Sequence, residues 1–183
     1  MPTFDTPEPV SAVLELVVGD VRITASDRDD TVVEIRPSDE SHEPDVRAAE
    51  QTRVEYSAGR LLVKTPRQRS LSLFGKPGSI DVTIGLPTDS QVDGDASVGA
   101  FRSVGRLGKC RLKLAAGDIQ MEQTGALEAN TAAGAIAVDR VAGRIATAPS
   151  RCSAGRLAAV AGRSPGRGRR TPARPTPRGR ARR

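Results

Sequence analysis

Three residues, one histidine and two cysteines, are all that this 183-residue chain brings to soft-metal or thiol chemistry. That supply excludes most zinc sites, Cys–His nucleophile pairs and disulfide-rich scaffolds. His42 sits in Ser-Asp-Glu-Ser-His-Glu-Pro, a polar run, and reads as a solvated loop residue rather than a ligand or a base. Cys110 shares the parity of Leu112 and Leu114, which places a small thiol on the inward face of a strand. Cys152 lies in a tail of different composition and is not counted toward a disulfide. Phe74-Gly-Lys-Pro-Gly-Ser79 brushes the phosphate-loop pattern. It lacks the glycine five residues before Gly75, and Pro77 follows Lys76 where Ser or Thr is required. Asp93-Gly-Asp95 has oxygens for calcium but no further acidic ligands, so it reads as a turn.

Paired carboxylates do the acid and base work of glycoside cleavage. Asp118, Glu122, Glu128 and Asp139 are the candidates here. They fall at positions where any soluble strand faces water, and residue type without convergent geometry makes no active site. No cofactor, metal or enzymatic activity is expected. Aromatic residues are 2% of the chain with no Trp, which disfavours a base-stacking platform.

The formal charge of +6 hides two different chains. Residues 1–148 carry 17 basic against 22 acidic side chains, a balance of −5. Residues 149–183 carry 11 Arg and no acid. Of those 35 residues, 27 are Arg, Pro, Ala or Gly, the amino acids of GC-rich codons. Two readings stand: a GC-rich gene in a shifted frame, or a basic arm for phosphates. Either way the segment is too polar to bury a core and is expected to be disordered. As an arm, Arg163, Arg167, Arg169, Arg170, Arg174, Arg178, Arg180, Arg182 and Arg183 would bind nucleic acid without sequence preference.

The elements that would position these groups are strands. Between residues 96 and 148 glycine keeps a beat: Gly108, Gly125 and Gly143 open units 17 and 18 residues apart. Gly117 and Gly134 follow their openers by nine positions. Leu112, Leu114, Ile119, Met121, Leu127, Ile136 and Val138 alternate between them. Period two gives strands with one buried face, and a fixed short period gives a β-solenoid. An antiparallel meander is the competing topology. The third unit places its inner glycine near 152, where Cys152 stands, so repeat and composition break together. About two and a half rungs then leave an open end that frays or associates edge to edge.

The N-terminal half reads as a meander of strands over Ser11–Val18, Val21–Ala25 and Thr31–Arg36, with Gly19-Asp20 as a turn. Val46–Gln51 is the one expected helix, behind Pro44. Thr52–Tyr56 and Leu61–Thr65 flank a hairpin turn, Arg67–Ser79 is a flexible basic loop, and Ile80, Val82, Ile84 and Leu86 alternate into Pro87. Leu14, Leu16, Val18, Val21, Ile23, Ile35, Val82 and Ile84 are expected to point inward with the solenoid set. The expected fold is all-β, with a β-rich region over 1–95, repeats over 96–148 and a disordered tail over 149–183.

Val18-Gly-Asp-Val-Arg-Ile-Thr-Ala25, Ala48-Ala-Glu-Gln51, Ile80-Asp-Val-Thr-Ile-Gly-Leu-Pro87 and Ala115-Ala-Gly-Asp-Ile119 resemble a bacterial family of β-strand repeat proteins of unknown function. The family carries the label "putative adhesin", and the likeness is to its actinobacterial branch. The resemblance covers about residues 1–148 and implies a β-helical or β-prism fold. It implies no agreed activity and no catalytic residues. Three functional readings follow. The first is a non-enzymatic binding or scaffold module for a protein or glycan partner. The second is nucleic-acid binding through the Arg tail, and the third a glycan-acting enzyme. No long apolar run spans a membrane, and the acidic start lacks the pattern of an export leader, so a cytoplasmic location is expected.

Overall fold

The computed structural model describes residues 1–66, 77–147 and 157–159. In chain order the elements are β1 (Thr3–Asp5), β2 (Ser11–Ser26), β3 (Asp30–Pro37), α1 (Glu43–Gln51), β4 (Arg53–Ser57), β5 (Arg60–Lys64) and β6 (Ile80–Pro87). There follow β7 (Gln91–Val98), β8 (Phe101–Ala116), β9 (Ile119–Ala133), β10 (Ile136–Val141), β11 (Ile145–Thr147) and β12 (Leu157–Ala159). The protein is all-β with one short helix, as the alternating apolar residues predict.

β2 is the hub. Its first half pairs in parallel with β5 on one side and β7 on the other. Its second half pairs in parallel with β6 and β8. Antiparallel pairing is confined to β4 on β5 and to β3, which joins β1 to β6. From β7 onward the ladders are parallel. Phe101 pairs with Ile119, 18 positions on, and Ile119 with Ile136, 17 positions on. Leu112 pairs with Ala129, again 17 positions on. The glycine beat of the sequence is thus the register of the parallel ladder.

In-register stacking aligns the inward side chains in columns. Ala12, Val92, Cys110 and Leu127 form one, and Leu14, Gly94, Leu112 and Ala129 the next. From the other run of strands, Val82, Val21, Phe101, Ile119 and Ile136 align, as do Ile84, Ile23, Ser103, Met121 and Val138. The buried hydrophobic members pack into one core. Truncating a buried leucine such as Leu112 to alanine costs about 2–5 kcal/mol.

The chain passes between the two runs at a glycine corner. Gly19, Gly99, Gly117 and Gly134 all have positive φ there. A Cβ on Gly117 would lie 1.7 Å from the Gly99 carbonyl oxygen, and one on Gly134 would lie 1.8 Å from that of Gly117. The corner therefore admits no side chain, because each backbone lies on the one before.

Several expectations change. Gly19-Asp20 does not reverse the chain; β2 runs through it as a corner and pairs in parallel on both halves. Asp93-Gly-Asp95 is the middle of β7, not a turn. Gly94 is required there because a Cβ would meet Phe101 and Leu112 side-chain carbons at 2.8 and 2.9 Å. Val18 and Ile35 are only half-buried, and Val33 takes the fully buried place on β3. The helix starts earlier, at Glu43, with Pro44 in its first turn, where a missing N–H costs nothing. Beyond residue 148, where no strand was expected, Leu157–Ala159 pairs in parallel with Ile136–Val138. The remainder of 149–183 and of the 67–79 loop, apart from 77–79, lies outside the described residues.

Candidate functional site

Alternation along parallel strands sends every second residue outward, and in-register stacking turns those residues into rows across the strands. The first run of strands carries Val13, Asp93, Arg111 and Glu128 in one row. Lys64, Glu15, Asp95, Lys113 and Asn130 make the next. Signs on these rows compensate. Arg111 Nε donates to Glu128 Oε2 at 3.0 Å, and its Nη1 lies 3.7 Å from Asp93 Oδ2. The hydrogen bond to Glu128, with the charges of Glu128 and Asp93, raises the pKa of the Arg111 guanidinium. Lys64 Nζ lies 2.6 Å from Glu15 Oε2. Such exposed pairs contribute little stability each, so their effect is to leave this surface electrostatically quiet.

The second run of strands differs. Its central row is Glu34, Thr83, Arg22, Arg102, Gln120 and Ala137. Arg22 and Arg102 are direct neighbours on β2 and β8, and both are exposed. Neither makes an ion pair among the described residues, while Glu34 is taken by Arg36. Arg53 and Lys64 are also neighbouring cations, but there Glu15 neutralises Lys64. The row beside the Arg pair holds Val32, Gly85, Thr24 and Val104, with the Arg28 guanidinium lying where a Gly85 side chain would be. Arg28 is paired with Asp30.

The four candidate carboxylates do not converge as a set, although the register of β9 and β10, with Met121 beside Val138 and Gln123 beside Arg140, brings Glu122 and Asp139 onto adjacent strands. Asp118 lies at the glycine corner, where Oδ1 accepts from Ala135 N–H at 2.8 Å. Glu122 accepts from Gly105 N–H at 2.9 Å, and Glu128 holds Arg111 on the opposite run of strands. Asp139 is exposed on β10. Cys110 is fully buried in its column, as its parity predicts, and burial raises the pKa of its thiol. Among the described residues no group of three His, Cys, Asp or Glu side chains is placed to hold a metal ion. No helix there is long and apolar enough to cross a membrane. Arg163, Arg167, Arg169, Arg170, Arg174, Arg178, Arg180, Arg182 and Arg183 lie outside the described residues.

His42 is more engaged than a loop reading allows. It is the N-cap residue of α1, and its Nδ1 donates to Asp45 Oδ1 at 2.7 Å. Asp45 is 6% exposed and also accepts from Ser79 N–H at 2.9 Å. Burial pushes the Asp45 carboxyl up, but the Ser79 N–H and His42 outweigh it and hold the carboxyl below its ordinary value. This carboxylate pins the helix to the entry of β6 and is a structural group. An acidic residue in the first helical turn was its only local signal. The Arg22–Arg102 register pairing has no local signal, since the two are 80 positions apart.

No family model and no curated protein matches the chain. Solved structures do. One is a putative cell adhesion protein from Clostridium sporogenes, 12% identical, with TM-score 0.46 over 76% of this chain and 71% of that one. A second is a putative adhesin from Bacteroides fragilis, 13% identical, with TM-score 0.42 over 87% and 92%. A third is a putative lipid binding protein from Parabacteroides distasonis, 10% identical, with TM-score 0.31 over 87% and 95%. All three likenesses are remote.

Proposed function

We propose that this protein is a non-enzymatic binding module of the adhesin type, which holds an extended partner against the outward rows of its parallel strands. One observation carries the reading: the strands stack in parallel register within each run, β2, β7, β8 and β9 in the first and β2, β8 and β9 in the second, with one shift of the β8–β9 ladder between Ser103 and Arg106, so outward side chains repeat at the interstrand spacing of about 4.8 Å. A surface with that repeat suits a protein strand or glycan better than a compact small molecule, which needs a concave site. Three of the four candidate carboxylates support the same reading, since Asp118, Glu122 and Glu128 are each held by a structural partner. The test is a saccharide array probed with the full chain, followed by mass spectrometry of each bound saccharide. Saturable binding with the saccharide recovered intact is expected. Recovery of shortened saccharide would replace this reading with that of a glycan-cleaving enzyme.

The 11 Arg of residues 149–183 support a second, additive reading, a salt-sensitive affinity for nucleic acid. Deleting 149–183 is expected to abolish binding to random-sequence DNA. Full affinity in the shortened chain would contradict it.

A further inference from the structure

We infer that Arg22 and Arg102 form an oxyanion subsite for an acidic saccharide, with Thr83 and Gln120 receiving its neighbouring hydroxyls. The inference deepens the proposed binding function and rests on it. Two like charges directly opposite on adjacent strands repel and destabilise a sheet. Several other cations have acids to offset them: Arg111 has Glu128 and Asp93, Arg28 has Asp30, Arg106 has Asp89, and Lys64 has Glu15. Arg22 and Arg102 make no ion pair among the described residues. An oxyanion placed between the two guanidiniums supplies the missing charge. Each guanidinium presents a planar fork that matches a carboxylate or sulfate edge.

The flanks define what carries the anion. Thr83 stands beside Arg22, and Gln120 beside Arg102, in the same row. A hydroxyl and an amide both donate and accept, which suits sugar hydroxyls. A saccharide lying across the strands meets one row position every 4.8 Å or so, close to the advance of one hexose per linkage. Asp20 and Asp81 mark one side of the subsite. Asp20 accepts from Ala100 N–H and Asp81 from Ser38 Oγ, so both have structural partners, and their charges repel an anion that strays toward them. A lipid surface is the poorer match. Among the described residues, the exposed large hydrophobics beyond Met1 are Val98 and Val104, which offer little apolar surface to a bilayer.

The test uses the full chain and follows the Arg22 and Arg102 Nε–Hε signals by NMR. The probes are trigalacturonate, its neutral methyl ester, a sulfated trisaccharide, and phosphatidylglycerol vesicles. A saturable shift of both signals with trigalacturonate or the sulfated sugar, and none with the methyl ester, is expected; the stronger of the two identifies the oxyanion. The Arg22→Gln/Arg102→Gln variant should lose about tenfold in affinity per guanidinium removed. Arg22→Lys/Arg102→Lys should fall between it and the wild type, because charge stays while the fork is lost. Without ligand, Arg102→Gln should melt no lower than the wild type, since it relieves repulsion. Equal affinity in the double Gln variant would overturn the subsite while leaving a binding function elsewhere on the surface intact. Shifts with vesicles but not saccharides would overturn it in favour of a lipid headgroup.

Discussion

The carbonyl oxygen of Gly117 stands 1.8 Å from the point where a side chain on Gly134 would begin. The same relation joins Gly99 to Gly19 and Gly117 to Gly99. One backbone rests on the next without room for a methyl group, and this contact sets the 17- and 18-residue beat. Gly134→Ala must therefore separate two layers as well as adopt φ +141°. It is expected to cost at least 2 kcal/mol or so in urea unfolding. Gly59→Ala is the control: its φ is +75°, but nothing lies within 4 Å of the new Cβ. That change should cost only the left-handed backbone penalty, about 1–2 kcal/mol. Equal losses at the two sites would mean that the layers are not in contact at Gly134.

Asp118 secures the same corner by accepting from Ala135 N–H. Asp20 does so for Ala100 N–H two layers earlier in the stack. Asp118→Ala should lower stability by up to about 1 kcal/mol, and Asp118→Asn should restore most of it, because the amide oxygen still accepts. A loss as large in the Asn variant would assign the effect to charge instead.

Asp45 gives the fold an acid limb. Its carboxyl is held below the ordinary value in the folded state. The sign follows from linkage: the contribution is present above the unfolded pKa and is lost as pH falls through the folded one. The stability gap between wild type and Asp45→Asn should therefore be constant near neutrality and close as pH falls below about 4. A gap that widens in acid would contradict the ion-paired geometry.

How much of this was legible before any coordinates depended on the range of the interaction. The glycine beat was readable because layer contact recurs at fixed spacing and forbids anything larger. The inward columns were readable from period two. Gly19-Asp20 was misread because a corner and a reversal use the same local residues; only pairing with β5, β6, β7 and β8 separates them. Gly94 was misread as part of a turn because its neighbour in space, the Phe101 ring, acts across the strands. The Arg22–Arg102 pair and the Asp45–Ser79 bond depend on register between distant segments, which no local pattern encodes.

Ser103 stands in an apolar column between Ile23 and Met121, and its Oγ has no hydrogen-bond partner among the described residues. The residue is 8% exposed. Ser103→Ala removes an unsatisfied hydroxyl with little change in volume, so stability should rise by up to about 1 kcal/mol. A loss on the same scale would reveal a partner for the hydroxyl.

Cys110 is fully buried and its thiol is held in the protonated form at neutral pH. In a Cys152→Ser background, reaction with a disulfide reagent should proceed no faster than unfolding, because the thiolate is the nucleophile. Rapid stoichiometric labelling of native protein would place Cys110 at the surface.

The account rests on consecutive units lying side by side in parallel, with Lys113 beside Asn130 on the outward surface. An antiparallel hairpin turning at Gly117-Asp118 would instead place Lys113 beside Glu122. Disulfide trapping distinguishes the two directly in a Cys110→Ala/Cys152→Ser background. Under mild oxidation the Lys113→Cys/Asn130→Cys variant should form an intramolecular disulfide, and Lys113→Cys/Glu122→Cys should not. The reverse result would contradict the parallel stack and, with it, the surface on which binding is proposed.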